Sequence, residues 1–330
     1  MTVVDAHSHF LPLELVEFLR QGNHPDVRVE DADGRPPLLV YASGTRFPLT
    51  PNFHDPEAIL GEMDRVGIDV SLLSVAAPLF FYELDPATSL EVSRLLNDAA
   101  AQLARESGGR LHAMATVPLN APEDAAQELR RARRELGLRG VEIGASVGAT
   151  MLDAPELDPF FAVAAELEMP VFIHPYTSML GDGRPPGLDR YFLSNSVGNP
   201  LETHRAAACL ILGGVLDRHP RLLVQLAHAG GSLPYQLSRV NHTYGLREEV
   251  RAVAARPPFE YLDHFLFDTV IYDERPLDFL LSLVGPERVV FGTDYPFDMA
   301  DLTGLGLRSR LSAADAERVL ESNARGAYGL

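Results

Sequence analysis

Short apolar runs rich in β-branched residues alternate with longer stretches in which apolar positions recur every three to four residues. A period of two that gives way repeatedly to a period of 3.6 marks βα units laid around a parallel sheet. The pattern predicts strands over 3–7, 70–75, 111–116, 140–144, 171–174, 222–228, 265–269 and 289–294. Helices are predicted over 55–66, 87–106, 122–136, 155–167, 200–218, 231–250, 275–284 and 313–328. Several open with proline or aspartate in the first turn, as in Asp55-Pro56-Glu57 and Ala121-Pro122-Glu123, where a missing N–H costs nothing. Eight such repeats are expected to close into a (β/α)8 TIM-type barrel, an α/β fold.

Residues 10–52 break the rhythm. Segments 28–30, 38–41 and 45–47 read as short strands separated by Asp-Gly and Ser-Gly turns, so this stretch is expected to be a small β insertion over the barrel mouth. Loops rich in proline and glycine at 176–187 and 295–306 are expected to extend the same rim. One catalytic domain over 1–330 accommodates all of this, because barrels of this class reach such lengths with insertions.

Polar residues at the ends of apolar strands change the picture from fold to chemistry. The first strand ends Asp5-Ala6-His7-Ser8-His9, and residues two apart on a strand share a face, so both imidazoles can reach one metal ion. Ile173-His174-Pro175 closes the fifth strand, Ala227-His228-Ala229-Gly230-Gly231 the sixth, and Thr293-Asp294-Tyr295-Pro296 the eighth. Those are the positions where barrels of this class place catalytic groups.

This ordered set resembles the amidohydrolase superfamily along essentially the whole chain. More narrowly, Asp5-Ala6-His7-Ser8-His9-Phe10, Phe172-Ile173-His174-Pro175, His228-Ala229-Gly230-Gly231-Ser232 with Arg239-Val240, and Gly292-Thr293-Asp294-Tyr295-Pro296-Phe297 are similar to its non-hydrolytic, aminocarboxymuconate-semialdehyde decarboxylase-like branch. The resemblance implies a metal held by His7, His9, His174 and Asp294, with His228 beside it as general acid/base toward metal-bound water. A further-ligand role for His228 stays open. It also implies substrate-binding roles for Arg46 in the insertion, for Arg239 reaching the neighbouring subunit's site in a homodimer, and for the aromatic positions Tyr191 and Phe297. Where the branch carries tryptophan after His-Pro, this chain has Tyr176, and it contains no tryptophan at all. That difference touches the pocket wall and leaves salicylate-, resorcylate- and muconate-like acids open.

Composition then narrows the metal. All 28 basic residues are arginine, so the carbamylated lysine with which binuclear members of the superfamily bridge two ions has no counterpart. Strand four ends Val141-Glu142-Ile143-Gly144, and Glu142 is expected to be solvated or to support the site from outside the ligand set. One divalent ion is expected, Zn²⁺ by preference for three imidazoles and a carboxylate, with Mn²⁺ compatible with the same ligands. A net charge of −18 argues against nucleic acid or an anionic membrane as partner, and an acidic small-molecule substrate then needs local arginines. The N-terminal residues show no basic-then-apolar leader pattern and no stretch approaches membrane-spanning length, which predicts a cytoplasmic protein. Cys209, the single cysteine, lies in an apolar run and is expected in the core.

The expected activity is non-oxidative decarboxylation of an unsaturated or aromatic carboxylic acid by a carbon–carbon lyase. Hydrolysis of an amide, lactone or ring C–N bond, or hydration, on the same site is the competing expectation. A binding protein with a structural metal is a third.

Overall fold

A computed structural model describes residues 1–32, 34–42, 44–77, 79–177 and 187–330. The turn residues Asp33 and Ser43, and most of the expected rim loop at 176–187, lie outside the described residues. In chain order the elements are β1 (Val4–Phe10), α1 (Leu13–Arg20), β2 (Val27–Ala32), β3 (Arg35–Tyr41), β4 (Arg46–Pro48), α2 (Pro56–Val66), β5 (Val70–Val75), α3 (Pro86–Glu106) and β6 (Leu111–Ala113). Then follow α4 (Pro122–Arg131), β7 (Val141–Gly144), α5 (Asp158–Glu166), β8 (Val171–His174), α6 (Asn199–Leu212), α7 (Val215–Arg218), β9 (Val224–Leu226) and α8 (Leu233–Leu246). The last are α9 (Glu248–Arg251), β10 (Phe265–Phe267), α10 (Glu274–Val284), α11 (Leu307–Arg310), α12 (Ala313–Glu317) and α13 (Asn323–Tyr328).

Local chemistry accounts for the helix boundaries. Asp55 accepts a hydrogen bond from the Glu57 N–H at the start of α2, which ends on Gly67 in a left-handed conformation. Asp85 caps α3 through Thr88, and Asp273 caps α10 through Arg275. Each such cap contributes roughly 0.5–2 kcal/mol.

Two parallel sheets, β1-β5-β6 and β10-β9-β8-β7, form most of the barrel. Hydrogen bonds join them on both sides. Between β6 and β7, Ala115 donates to the Gly140 carbonyl and Glu142 donates to the Ala115 carbonyl. Between β10 and β1 runs residues 289–295: Val290 donates to Phe267, Ala6 to Phe291 and His9 to Tyr295. This eighth stave is not the regular strand its apolar run predicts. Thr293 and Asp294 both direct their N–H groups at the His7 carbonyl (3.1 and 2.8 Å), two residues against one, and the ladder breaks there.

The lumen is filled from nearly every stave. Val4, Ala6, Leu72, Met114, Phe172, Ala227, Leu266 and Val290 form one buried cluster, closed at the N-terminal end by Tyr328 of α13. The Tyr328 hydroxyl donates to Gln225 Oε1 (2.7 Å), and Gln225 Nε2 donates to the Ala6 carbonyl (2.9 Å). Full burial of a Phe or Leu side chain contributes about 1.5–3 kcal/mol, so this plug holds the base of the barrel rigid beneath its mouth.

The 10–52 segment contains the expected antiparallel sheet, ordered β2-β3-β4, with Leu39 paired to Phe47 and Val40 to Arg46. It also contains α1, which the turn-rich reading of that segment did not anticipate. Leu15, Val16 and Leu19 bury one face of that helix, a spacing obscured in sequence by its brevity. The long helices expected at 200–218 and 231–250 are each broken in two, the first at Gly213-Gly214. Cys209 is half-buried on α6 rather than in the core, because it faces a surface groove with the exposed Leu201.

Candidate metal centre and active site

The base of the site rests on an irregularity in β1. Val4 and Ala6 belong to the lumen cluster, yet His7 and His9 also point inward, where the His7 ring meets Phe172 from the opposite wall at 4.8 Å. A register shift between Asp5 and Ser8 makes both possible, since one extra residue turns the following side chains to the other face. The alternation that predicted a shared face for His7 and His9 holds only beyond this bulge.

Five polar side chains converge. His7 Nε2 lies 3.2 Å from His9 Nε2 and 3.4 Å from Asp294 Oδ1, which is itself 3.1 Å from His9 Nε2. Asp294 Oδ2 is 3.4 Å from His228 Nε2. Ligand atoms of His7, His174, His228 and Asp294 all fall within 4.8 Å of one another. His7, His9, His174 and Asp294 are buried, while His228 keeps a partly open edge.

Tautomers follow from what each ring touches. His174 Nδ1–H donates to the Pro175 carbonyl (2.8 Å) and His9 Nδ1–H to the Val75 carbonyl (3.2 Å). Each therefore turns an Nε2 lone pair inward, and His174 Nε2 has no hydrogen-bond partner among the described residues. An orphaned, buried lone pair is costly, and a divalent cation answers it. Burial keeps both imidazoles below their usual range, His174 far below, which leaves them neutral as metal ligation requires. For His7, burial pulls the pKa down but the Asp268 and Asp294 carboxylates outweigh it and raise it to about 10, so a cation bound at Nε2 has to displace the proton there while Asp268 keeps the one on Nδ1. Burial alone would lift Asp294, yet the bonds from His228, His7 and His9 hold it well below the carboxylate range. These residues fit one divalent cation: three imidazole nitrogens and a charged carboxylate facing one point.

Asp268, at the end of the β10 stave, escaped the reading of the sequence. It is fully buried and spends both oxygens on the site. Oδ2 accepts from His7 Nδ1 (2.6 Å) and from the His228 N–H (3.0 Å); Oδ1 accepts from the Ala229 N–H (2.8 Å) and the Val270 N–H (3.0 Å). One carboxylate thus fixes both a candidate ligand and the backbone carrying His228. Its signal was present: Phe265-Leu266-Phe267-Asp268-Thr269 is an apolar strand ending in a carboxylate, the same pattern that exposed Asp294.

Backbone strain gathers here. Asp294, His228 and Ala229 have φ of 61°, 55° and 54°, each costing of order 1–3 kcal/mol for a non-glycine residue. The hydrogen bonds from Asp268 help hold that backbone. The two glycines that follow His228 are required by space as well as by their positive φ: a Cβ at Gly230 would lie 2.7 Å from the Phe267 ring, and one at Gly231 2.3 Å from the Pro200 carbonyl.

Glu142 is fully buried, which corrects the expectation of a solvated carboxylate. Its oxygens have no hydrogen-bond partner among the described residues, and Oε1 lies 3.9 Å from His9 Nδ1, the edge turned away from His7. Burial raises its pKa well above the carboxylate range.

A cavity of about 130 Å³ opens above the cluster, lined by Arg46, Phe47, His174, His228, Asp294 and Phe297 among others. The structure brings Arg46 to this rim on β4, where it also pairs with Glu30 at 3.4 Å. Phe297 stands edge-on to His9 (5.2 Å) and packs on Phe47 and Phe53. Tyr191 does not line it: the residue is 83% exposed, with the Arg190 guanidinium over its ring, and its neighbour Phe192 contributes to the lining instead. Positive φ at both residues turns the chain so that one ring faces in and the other out. Arg239 lies exposed on the outer face of α8 and is not brought to this cavity. Tyr176 is buried, accepting from the Gly148 N–H through its hydroxyl (3.0 Å). Among the described residues, no helix is long and apolar enough to cross a membrane.

Comparison with known proteins agrees with this geometry. The chain is 38% identical over 333 residues to 2-amino-3-carboxymuconate-6-semialdehyde decarboxylase of Dictyostelium discoideum, covering 99% of this chain and 91% of that one. The solved structure of apo IDCase from Metarhizium anisopliae superposes with a TM-score of 0.87 at 26% identity, covering 99% and 97% of the two chains. A 5-carboxyvanillate decarboxylase from Novosphingobium aromaticivorans, complexed with manganese, shares the fold at a TM-score of 0.81 and 22% identity, covering 100% and 96%. The amidohydrolase family model matches residues 4–330, the stretch that carries the barrel and all five converging side chains, and the chain belongs to that family.

Proposed function

We propose that the protein is a metal-dependent, non-oxidative decarboxylase, a carboxy-lyase acting on an unsaturated or aromatic carboxylic acid. The observation that carries this reading is the cavity lined by Arg46, Phe297, His174, His228 and Asp294, with His7 and His9 set against Asp294. The activities named for the relatives above support it.

In this reading His7, His9, His174 and Asp294 hold one divalent ion, Zn²⁺ by preference, with Mn²⁺ suiting the same donors. When bound, the ion supplies Lewis-acid stabilisation of negative charge on substrate oxygen. Arg46 fixes a carboxylate by charge-assisted hydrogen bonds. Phe297 and Phe47, packed edge to face at 5.4 Å, give the cavity one aromatic wall. His228, hydrogen-bonded through its backbone to Asp268, carries the proton. As the C–C bond to the departing carboxylate breaks, its electron pair stays on the ring or chain carbon. A proton from the His228 side takes the vacated position and carbon dioxide leaves. Arg239, on the outside of α8, would serve the site of a second copy in a homodimer. One catalytic domain and a cytoplasmic location belong to the same reading.

A carbon dioxide release screen tests it. Metal-loaded protein is offered salicylate-, resorcylate- and muconate-like acids, with amides and lactones alongside. Release of carbon dioxide from at least one acid is expected. Turnover of an amide or lactone, with no acid decarboxylated, would overturn the reading in favour of hydrolysis.

A further inference from the structure

The cavity takes part of its rim from two segments that reach the barrel mouth separately. Thr45, Arg46 and Phe47 come from the β insertion, and Ala77 comes from the loop between β5 and α3. That loop is pinned. The Phe81 carbonyl accepts from the Ser89 hydroxyl (2.7 Å), the Tyr82 hydroxyl from the Gly144 N–H (3.2 Å) and the Leu84 carbonyl from Asn120 Nδ2 (2.9 Å). Glu83 lies among those anchors and keeps 21% of its side chain exposed.

The insertion grips the barrel with apolar residues: Leu15, Leu39, Tyr41 and Leu49 all belong to the main core. Apolar burial acts without direction, so by itself it leaves the tilt of the small sheet loosely set. His24, in the turn between α1 and β2, adds direction. Its side chain is fully buried and meets the Glu83 carboxylate in an ion-pair contact, edge-on to Phe81. Nδ1 accepts from the Asp26 N–H (3.1 Å), so the ring proton sits on Nε2, the atom that faces Glu83. The approach is close without the alignment of an ideal hydrogen bond, and the attraction is that of a buried charge for a dipole. From His24, backbone hydrogen bonds lead to the rim. The Asp26 carbonyl accepts from the Ala42 N–H (2.7 Å), and the Tyr41 N–H donates to the Thr45 carbonyl (3.0 Å). Arg46 is the next residue.

We propose that His24 and Glu83 form a latch that fixes the insertion over the barrel mouth, and that both are positioning residues for Arg46. They set the backbone from which Arg46 projects, while its exposed side chain stays free to meet a carboxylate. Without the latch the small sheet stays docked by its apolar residues, but Arg46 spends only a fraction of the time over the cavity. Affinity for an acid then falls in proportion to that fraction. The positioning role rests on the reading of Arg46 as a carboxylate-binding residue; the latch rests on the contacts alone.

The experiment compares His24→Ala, Glu83→Ala and Glu83→Gln with the wild type, all metal-loaded. Glu83→Gln keeps an acceptor oxygen for the Nε2 proton. Amide hydrogen exchange is read first, because it needs no ligand. In both alanine variants exchange at Tyr41 and Ala42 is expected to quicken about tenfold while β1 and β8 stay unchanged, and Glu83→Gln should restore most of the protection. Affinity for salicylate and for cis,cis-muconate is then measured calorimetrically. Whichever of them binds the wild type should bind both alanine variants about tenfold more weakly, with metal content unchanged and with kcat unchanged wherever carbon dioxide is released. Added to Arg46→Ala, the same changes should weaken binding no further, since the latch acts through that residue. Exchange unchanged at Tyr41 and Ala42, or quickened throughout the chain with a lower Tm, overturns the latch. Affinity untouched by both alanine variants, or a loss that adds to that of Arg46→Ala, overturns the positioning role. The local exchange pattern with no acid bound or decarboxylated supports the latch and sinks the decarboxylase reading; carbon dioxide release with no change in exchange does the reverse.

Discussion

The floor of the site and its rim are built on different terms. On the floor every side chain is tethered. His7 is fixed by Asp268, His9 by Val75, His174 by Pro175, and Asp294 by the rings around it. On the rim Arg46 has a half-exposed side chain that pairs with Glu30 at 3.4 Å, and Tyr191 and Arg239 face solvent. Buried polar groups must be paired or ligated, so the floor tolerates one arrangement. Rim groups are hydrated whatever they do, and they gain a fixed place only when a substrate or a second copy of the chain supplies one. Precision for chemistry thus comes from the barrel, and choice of substrate from what is laid over it.

The largest effect expected divides the floor itself. Asp294→Ala should remove the divalent ion and activity together, by elemental analysis and turnover. His228→Ala should keep the ion and lose turnover by about a hundredfold or more, the usual cost of a missing acid/base group. Metal loss in parallel with activity for His228→Ala would make that ring a ligand.

Asp268→Asn comes next. The amide can still accept from the backbone N–H groups of Ala229 and Val270 but no longer sets the His7 tautomer, so affinity for Zn²⁺ should fall by roughly 10- to 100-fold in a chelator competition. Affinity unchanged within a factor of two would reduce Asp268 to a backbone brace.

Arg46→Ala, on the rim, should raise KM about tenfold while leaving Tm alone, since an exposed ion pair such as Arg46–Glu30 contributes about 0–1 kcal/mol. A fall in Tm without a change in KM would reassign Arg46 to the stability of the β insertion.

The smallest effect lies outside both regions. Burial, with Asp153 adding to it, pushes the Cys209 thiol up to about 11. Thiolate is then scarce near neutrality, and the rate of alkylation by iodoacetamide should climb about tenfold per pH unit between pH 7 and 9. A rate already level by pH 9 would place the thiol in an ordinary environment.

How far the sequence carried depends on whether a property is local. Apolar runs separated by amphipathic stretches gave the staves and most helices, because burial against neighbours on either side leaves a periodic trace in the chain. Polar residues ending apolar strands gave His7, His9, His174, His228 and Asp294, because water cannot solvate a group in that position and only a partner can justify it. The same rule would have yielded Asp268 had it been applied to every strand. Helix α1 was missed because eight residues give too few periods to outweigh flanking turn signals.

Tertiary structure alone decided the rest. The bulge in β1 is a matter of register against β5, and without it the lumen could not hold Val4 and His7 together. The paired hydrogen bonds from Thr293 and Asp294 to one carbonyl exist only once the eighth stave meets the first. Whether Tyr191 or Phe192 faces the cavity turns on two left-handed residues, a choice no hydropathy pattern records. The burial of Glu142 is likewise a property of enclosure. It depends on which side chains from distant segments arrive to surround it, and that is settled only when the barrel closes.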